Sequence, residues 1–364
     1  MVKLIFVADT LSSGGAERVM SVLAKSFAET GYDTTILLKT AGPSFYNLGE
    51  KVKLVHTPAQ INHKNRATVA VSRFGIYSDI FRYLKTEKPD LVITFSTTTN
   101  GPVILICKLL GLRVIASEHS NYRVRLNSLQ VWLIKRLIYP RADLLTVLTE
   151  RDCNEYYSKF MNNIVVMRNP LAMKPAETVN SDREEVILAI GFVSPCKLRI
   201  KGLDTLLEVY QKIAAKFPNW RLVIAGGGDP GSLNKIIGEY GLSSYVSLIG
   251  EIKDVQPLME HSSIFALTSR WEGLPMTIIE AMSQGMACIA FDCFTGPGDI
   301  ITDNCDGILV EDQNTDQFIE KLSRLIENKN LRLELGRNAI ETSKKYLPEV
   351  ILPEWYKLIE RYTA

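Results

Sequence analysis

A chain of 364 residues, 46% hydrophobic and 23% charged, can build two ordinary globular domains and lacks the compositional bias of a fibrous or disordered protein. Six cysteines (Cys107, Cys153, Cys196, Cys288, Cys293, Cys305) without C-x2-C spacing, and four histidines without ligand spacing, argue against a disulfide framework or a zinc site and for reduced thiols in a reducing cytoplasm. The net charge of +2 hides an asymmetry: residues 1–170 carry 22 Lys+Arg against 13 Asp+Glu, whereas residues 171–364 carry 20 against 27, so the first half is expected to meet something anionic.

The opening Met1–Asp9 is too short for a signal peptide and reads as a first strand, Leu4–Ala8. Strands are then expected at Asp33–Lys39, Lys53–His56, Leu91–Phe95, Arg113–Ser117 and Leu144–Leu148, with helices between them that include Ala16–Glu29 and Phe74–Lys85. Gly14 and Gly15 stand between the first strand and its helix, where glycines admit close approach to a phosphate or simply make a flexible loop. His119, beside Glu118 at the end of the strand Arg113–Ser117, could hydrogen-bond a ligand hydroxyl or be an ordinary satisfied polar residue. From Tyr122 to Arg141 runs a basic, aromatic stretch with no acid, carrying Arg123, Arg125, Lys135 and Arg136. Its Leu129, Trp132, Leu133 and Leu137 could form a core face, while the cations could meet anionic lipid or a lipid-linked pyrophosphate; Arg66, Arg73 and Arg82 could widen the same patch. No recognised nucleic-acid module is present, so nucleic acid is not the expected partner. The longest apolar run, Val103–Cys107, ends at Lys108 and spans no bilayer.

Past a boundary near Met167–Pro170, strands are expected at Val186–Gly191, Arg221–Ala225, Val246–Gly250, Ile264–Leu267, Ala287–Phe291 and Gly307–Val310. Helices Leu203–Phe217, Leu233–Tyr240, Met276–Gln284 and Thr315–Glu327 alternate with them. This regular alternation means α/β with parallel sheets, two doubly wound units in tandem, and ligands at strand C-terminal ends between the domains. Gly226-Gly227-Gly228-Asp229-Pro230-Gly231 satisfies G-x-G-x-x-G after a strand, which by itself would suggest a dehydrogenase, but Pro230 and the second-domain position fit that poorly; a structural turn and a nucleotide-side loop are both compatible.

The run Ser269 to Met282 carries the most chemistry. A strand leads into Glu272-Gly273-Leu274-Pro275, a helix starts at Met276 and Thr277, and Glu280 follows one turn in. Unpaired amides at a helix start favour an anion such as a diphosphate, and Glu280 could accept hydrogen bonds from ribose hydroxyls. A surface turn before an ordinary core helix is the alternative. No Asp-x-Asp occurs, so no metal-held nucleotide and no cofactor are expected.

Glu272 to Glu280 matches the E-x7-E pattern, and Gly14-Gly15-Ala16-Glu17, Glu118-His119, Asn169-Pro170, Lys201-Gly202-Leu203-Asp204, Ala225–Gly228 and Gly250-Glu251-Ile252 fall in the matching order. On these motifs, over essentially the whole chain, the sequence resembles the retaining nucleotide-sugar glycosyltransferases of family 4, and most of all those that extend lipid-linked glycans in bacterial protein N-glycosylation, capsule and O-antigen synthesis. The resemblance implies the GT-B fold: two Rossmann-like domains facing each other across a deep cleft, residues 1–170 joined by the C-terminal helix 348–364, and residues 171–347. It implies a UDP-sugar donor, a polyprenyl-diphosphate-linked acceptor, and a cytoplasmic protein peripheral to the inner face of the membrane. Backbone near Ile252 would read the base, Glu280 the ribose, Gly273, Leu274, Met276, Thr277 and Lys201 the diphosphate, and His119 and Glu272 the sugar. Gly14, Gly15 and Gly227 would line the donor site. The family's arginine after the strand glycine is Phe192 here, so Arg199 or Lys197 would supply its charge. A UDP-sugar 2-epimerase of the same fold would need no acceptor face, a dehydrogenase would bind NADH, and a non-catalytic sensor would bind donor without turnover.

Overall fold

Period-2 alternation sends Leu4, Phe6 and Ala8 to one face of a sheet and Ile5 and Val7 to the other, and all five are buried. A strand apolar on both faces needs cover on both, which is the requirement of a parallel sheet sandwiched by helices. A computed structural model describes residues 1–60, 66–123, 128–193 and 195–364, the side chains of 66, 67, 70 and 195–197 excepted. Its chain forms two compact units, Met1–Ala172 with Pro348–Ala364, and Met173–Leu347.

The first unit holds β1 (Lys3–Ala8), β2 (Asp33–Leu38), β3 (Lys53–His56), β4 (Leu91–Phe95), β5 (Val114–Ser117), β6 (Leu144–Val147) and β7 (Ile164–Val166) in the order β3-β2-β1-β4-β5-β6-β7, every pair parallel. β7, three residues long, has no counterpart in the sequence reading, because so short a run carries no readable period. One core packs the helix Gly15–Glu29 and the last helix, Pro348–Thr363, against the same sheet face, with Phe27 set against Trp355 and Tyr356. Ile76, Ile80, Ile104 and Tyr139, from the helical segments 66–87, 97–110 and 129–141, build the other core.

The second unit holds β8 (Glu184–Ile190), β9 (Arg221–Ala225), β10 (Val246–Gly250), β11 (Ser262–Leu267), β12 (Ala287–Asp292) and β13 (Ile308–Glu311) in the order β10-β9-β8-β11-β12-β13, again all parallel. Both units are Rossmann-like. In each, one central pair marks where the winding reverses, β1 beside β4 and β8 beside β11. Loops leave those two strand ends in opposite directions, which is where doubly wound sheets open a crevice at their C-terminal edge.

Candidate functional site

In the second unit the residues singled out by sequence converge on that edge. Gly191-Phe192 and Lys201 follow β8, Gly227 follows β9, Ile252 follows β10, and Thr268–Pro275 follow β11. Pro275, the N-cap of the helix Met276–Ser283, offers the first amides no side-chain acceptor, and Ile278 N–H bonds to Pro275 O at 3.0 Å; the aligned amides at this end favour an anion. Glu272 is held in the preceding turn: its Oε1 accepts from Lys201 Nζ at 2.8 Å and from Ser269 Oγ at 2.6 Å. Glu280 lies one turn into the helix and is almost wholly buried.

Backbone contacts fasten this arrangement. Gly202 sits at φ 62, and a Cβ there would meet Thr268 O at 1.8 Å, while Thr268 Oγ1 donates to Gly202 O at 2.7 Å. Arg270 donates to Asp204 through its two terminal guanidinium nitrogens, at 2.8 and 3.2 Å, and to the carbonyl of Arg199 at 2.7 Å. Lys201 is thereby pinned beside β11, its stem packed over Gly191. The loop after β12 closes the turn from the far side. Thr295 Oγ1 donates to Glu272 O at 2.7 Å, and Gly296, at φ 101, could not carry a Cβ without approaching Pro275 Cδ to 2.6 Å.

The G-x-G-x-x-G match has a backbone explanation. Gly226 and Gly228 lie at positive φ, and Cβ atoms there would come within 1.9 Å of Gly191 O and 1.8 Å of Val193 O. The loop after β9 must therefore lie directly on the loop after β8. Phe192 is 41% exposed and its ring lies against Gly228; Arg199 is exposed, and the side chain of Lys197 lies outside the described residues.

In the first unit Gly14 N-caps the helix Gly15–Glu29, and the Glu17 carboxylate folds so closely over it that a Cβ would approach Oε2 to 2.0 Å. Glu118, after β5, is 2% exposed and accepts from Thr97 Oγ1, Tyr139 OH and Ser120 Oγ at 2.6 Å each. Burial by itself would raise its pKa, but the Lys135 charge and these three hydrogen bonds outweigh it and hold the carboxyl below its ordinary range. His119, the next residue, points back over the strand ends, half-buried, with its ring on Phe95 at 4.8 Å.

One expectation is overturned. Lys135 belongs to no surface patch: it is fully buried and donates to the carbonyls of Tyr122 at 3.2 Å and Asn121 at 3.5 Å. The core face of this segment is Val131, Ile134, Lys135 and Tyr139, not the Leu129, Trp132, Leu133 and Leu137 set, which is 70, 42, 37 and 49% exposed. Both faces have helical spacing and apolar residues, so periodicity could not choose between them. Arg123 and Arg136 are exposed on the same segment, the latter over the Phe160 ring at 4.5 Å, whereas Arg125 lies outside the described residues. Arg73 and Arg82 are exposed on the helix Arg66–Glu87, where Arg82 pairs with Asp79; the Arg66 side chain is not among those described. Sequence reasoning also passed over the clamp Thr295-Gly296. Its signal was Gly296-Pro297, a short loop beyond the predicted strand Ala287–Phe291.

Residues 13–171 match the family model described as Glycosyltransferase Family 4, and residues 175–342 the one described as Glycosyl transferases group 1. A GalNAc-alpha-(1->4)-GalNAc-alpha-(1->3)-diNAcBac-PP-undecaprenol alpha-1,4-N-acetyl-D-galactosaminyltransferase of Campylobacter jejuni is 31% identical, covering 99% of this chain and 98% of its own. An amylovoran biosynthesis glycosyltransferase of Erwinia amylovora is 29% identical, covering 99% of this chain and all of its own. Among solved structures, TarM superposes with a TM-score of 0.84 at 17% identity over 98% of both chains. HepE of Anabaena, in complex with UDP-glucose, gives 0.78 at 14% identity over 99% of this chain and 100% of its own.

Proposed function

The chain belongs to glycosyltransferase family 4, and from that premise we propose that it moves a hexose or N-acetylhexosamine from a UDP-sugar to a polyprenyl-diphosphate-linked saccharide, with retention of configuration and without a metal. The observation that carries the reading is Lys201 held 2.8 Å from Glu272 beside the uncapped start of the helix Met276–Ser283. A compact cation and aligned amides together suit a diphosphate leaving group, whose charge grows as the glycosidic bond breaks. In this reading backbone near Ile252 meets the base, Glu280 the ribose, and Gly273, Leu274, Met276 and Thr277 the diphosphate. Glu272 and His119 grip the sugar; Gly14, Gly15, Gly227 and Arg199 border the donor. The acceptor hydroxyl attacks the anomeric carbon from the leaving-group side, and its proton passes to the departing diphosphate oxygen.

Thermal-shift screening of UDP- and GDP-sugars, followed by product analysis on a lipid-linked acceptor, tests this. Conversion of the donor alone would instead identify an epimerase, and binding without turnover a sensor. Chelation with EDTA is expected to leave the transfer rate unchanged. Glu280→Gln, which keeps the buried volume, is expected to weaken UDP binding by calorimetry on the order of tenfold to a hundredfold, the worth of hydrogen bonds to a charged acceptor. Equal affinity would remove Glu280 from the ribose.

The acceptor's lipid requires a surface. Among the described residues no helix is long and apolar enough to cross a membrane. The exposed Leu129, Trp132, Leu133 and Leu137, flanked by Arg123 and Arg136, form a basic, apolar face suited to an anionic bilayer at the cytoplasmic side. Trp132→Glu combined with Arg136→Glu is expected to abolish flotation with anionic vesicles. Retained flotation would place the membrane contact elsewhere.

A further inference from the structure

His119 is gripped by three adjacent strand ends. Phe95 closes β4, Ser117 closes β5, and the two are register partners; Ser117 is in turn the register partner of Thr146 on β6. Phe95 supplies the stacking face under the imidazole. Thr146 Oγ1 donates to Ser117 Oγ at 2.8 Å, and Ser117 Oγ lies 2.9 Å from His119 Nε2. Ser117 and Thr146 are 2% and 1% exposed, so water does not compete for either hydroxyl.

The hydrogen-bond inventory then decides a tautomer. A serine hydroxyl has one proton to give. With Thr146 donating to it, and no other acceptor facing it among the described residues, that proton goes to Nε2. A neutral imidazole that accepts at Nε2 carries its own proton on Nδ1. Burial pulls the His119 pKa down to about 4 against the opposing pull of Glu118, so the ring is neutral at physiological pH and the tautomer is the relevant state. Among the described residues Nδ1 has no partner.

We propose that Ser117 and Thr146 are positioning residues that fix His119 as the Nδ1–H tautomer, so that it meets the donor sugar as a hydrogen-bond donor to a hydroxyl oxygen. The sugar contact rests on the function proposed above; the relay does not. Without the relay the ring could present either nitrogen, and the site would lose its preference for an acceptor oxygen at that point.

Long-range proton–nitrogen NMR on protein labelled with 15N-histidine reads the tautomer directly, with His119→Gln identifying the resonance. The free protein is expected to show Nδ1 protonated and Nε2 bare; the reverse pattern would overturn the relay. Thr146→Val keeps the branched shape and removes the hydroxyl, freeing Ser117 to accept instead. It should produce a tautomer mixture and lower kcat/KM for transfer about fivefold to tenfold, one hydrogen bond's worth, with UDP affinity unchanged. Thr146→Ser should restore both. A Thr146→Val protein still wholly Nδ1–H would also overturn the relay. A shifted tautomer with undiminished transfer would leave the relay standing and remove His119 from the sugar. Loss of UDP-sugar binding in the wild type would sink the function while the NMR result still judges the relay.

Discussion

Lys201→Ala is expected to lower turnover at saturating donor about a hundredfold to a thousandfold, or ~3–4 kcal/mol of barrier, the scale of one lost electrostatic group at a developing anion. The geometry makes this residue hard to replace. Its stem lies over Gly191, its ammonium meets Glu272 at 2.8 Å, and Gly202, at φ 62, follows directly against β11. Arginine is longer and planar, so Lys201→Arg should recover little. The lysine side of the Lys201–Glu272 pair is 29% exposed but the glutamate side only 9%, so the variant also leaves a nearly buried carboxylate and should melt below wild type, which thermal unfolding separates from the loss of turnover. UDP affinity should fall less than turnover, because the cation matters most when charge has moved onto the leaving group. Normal turnover with saturating donor would overturn this account of leaving-group stabilisation.

Lys135→Met is expected to destabilise the first unit by about 3–5 kcal/mol, since removing the cation leaves Glu118 as a buried charge whose compensation is incomplete. Two effects add: the charge balance around Glu118, and the ties from Nζ to the carbonyls of Asn121 and Tyr122 that shape the loop after His119. Adding Glu118→Gln should restore part of the loss, because it withdraws the anion that the lysine offset. The pH dependence follows from the sign of the shift. In the wild type Glu118 is held below its ordinary pKa, so its contribution is present above the unfolded value, near 4.5, and is lost as pH falls through the folded one. In the variant burial dominates and raises the carboxyl, so its contribution is present below that value and lost as pH rises. The gap between the two proteins should therefore narrow as pH falls from 7 toward 4, followed by thermal unfolding. A constant gap would show that Lys135 acts by packing alone.

Several elements could be read from the chain residue by residue. The strands Lys53–His56, Leu91–Phe95, Arg221–Ala225 and Val246–Gly250, and the helix Thr315–Glu327, have the bounds that alternation and helical spacing predict. The expected C-terminal helix 348–364 is found at Pro348–Thr363 with Pro353 inside it, whereas the helix expected over Phe74–Lys85 runs from Arg66 to Glu87. That difference is at the boundaries, where capping and neighbouring packing outweigh local preference.

The chain's own order of residues determined the parallel α/β class, the repeated strand–helix rhythm and the glutamate pair around the Gly-Leu-Pro turn, because each is written in residues close to one another. Only the tertiary structure decided which side of Leu129–Tyr139 faces inward, why Gly226 and Gly228 must be glycine, what clamps the Glu272 turn, and which hydroxyls hold His119. Those answers depend on partners from distant segments: Thr146 lies 29 residues from Ser117, and Thr295 lies 23 from Glu272. Local periodicity reports that a face is apolar, but the neighbour that covers it, and the polar group that satisfies it, arrive only when distant segments pack.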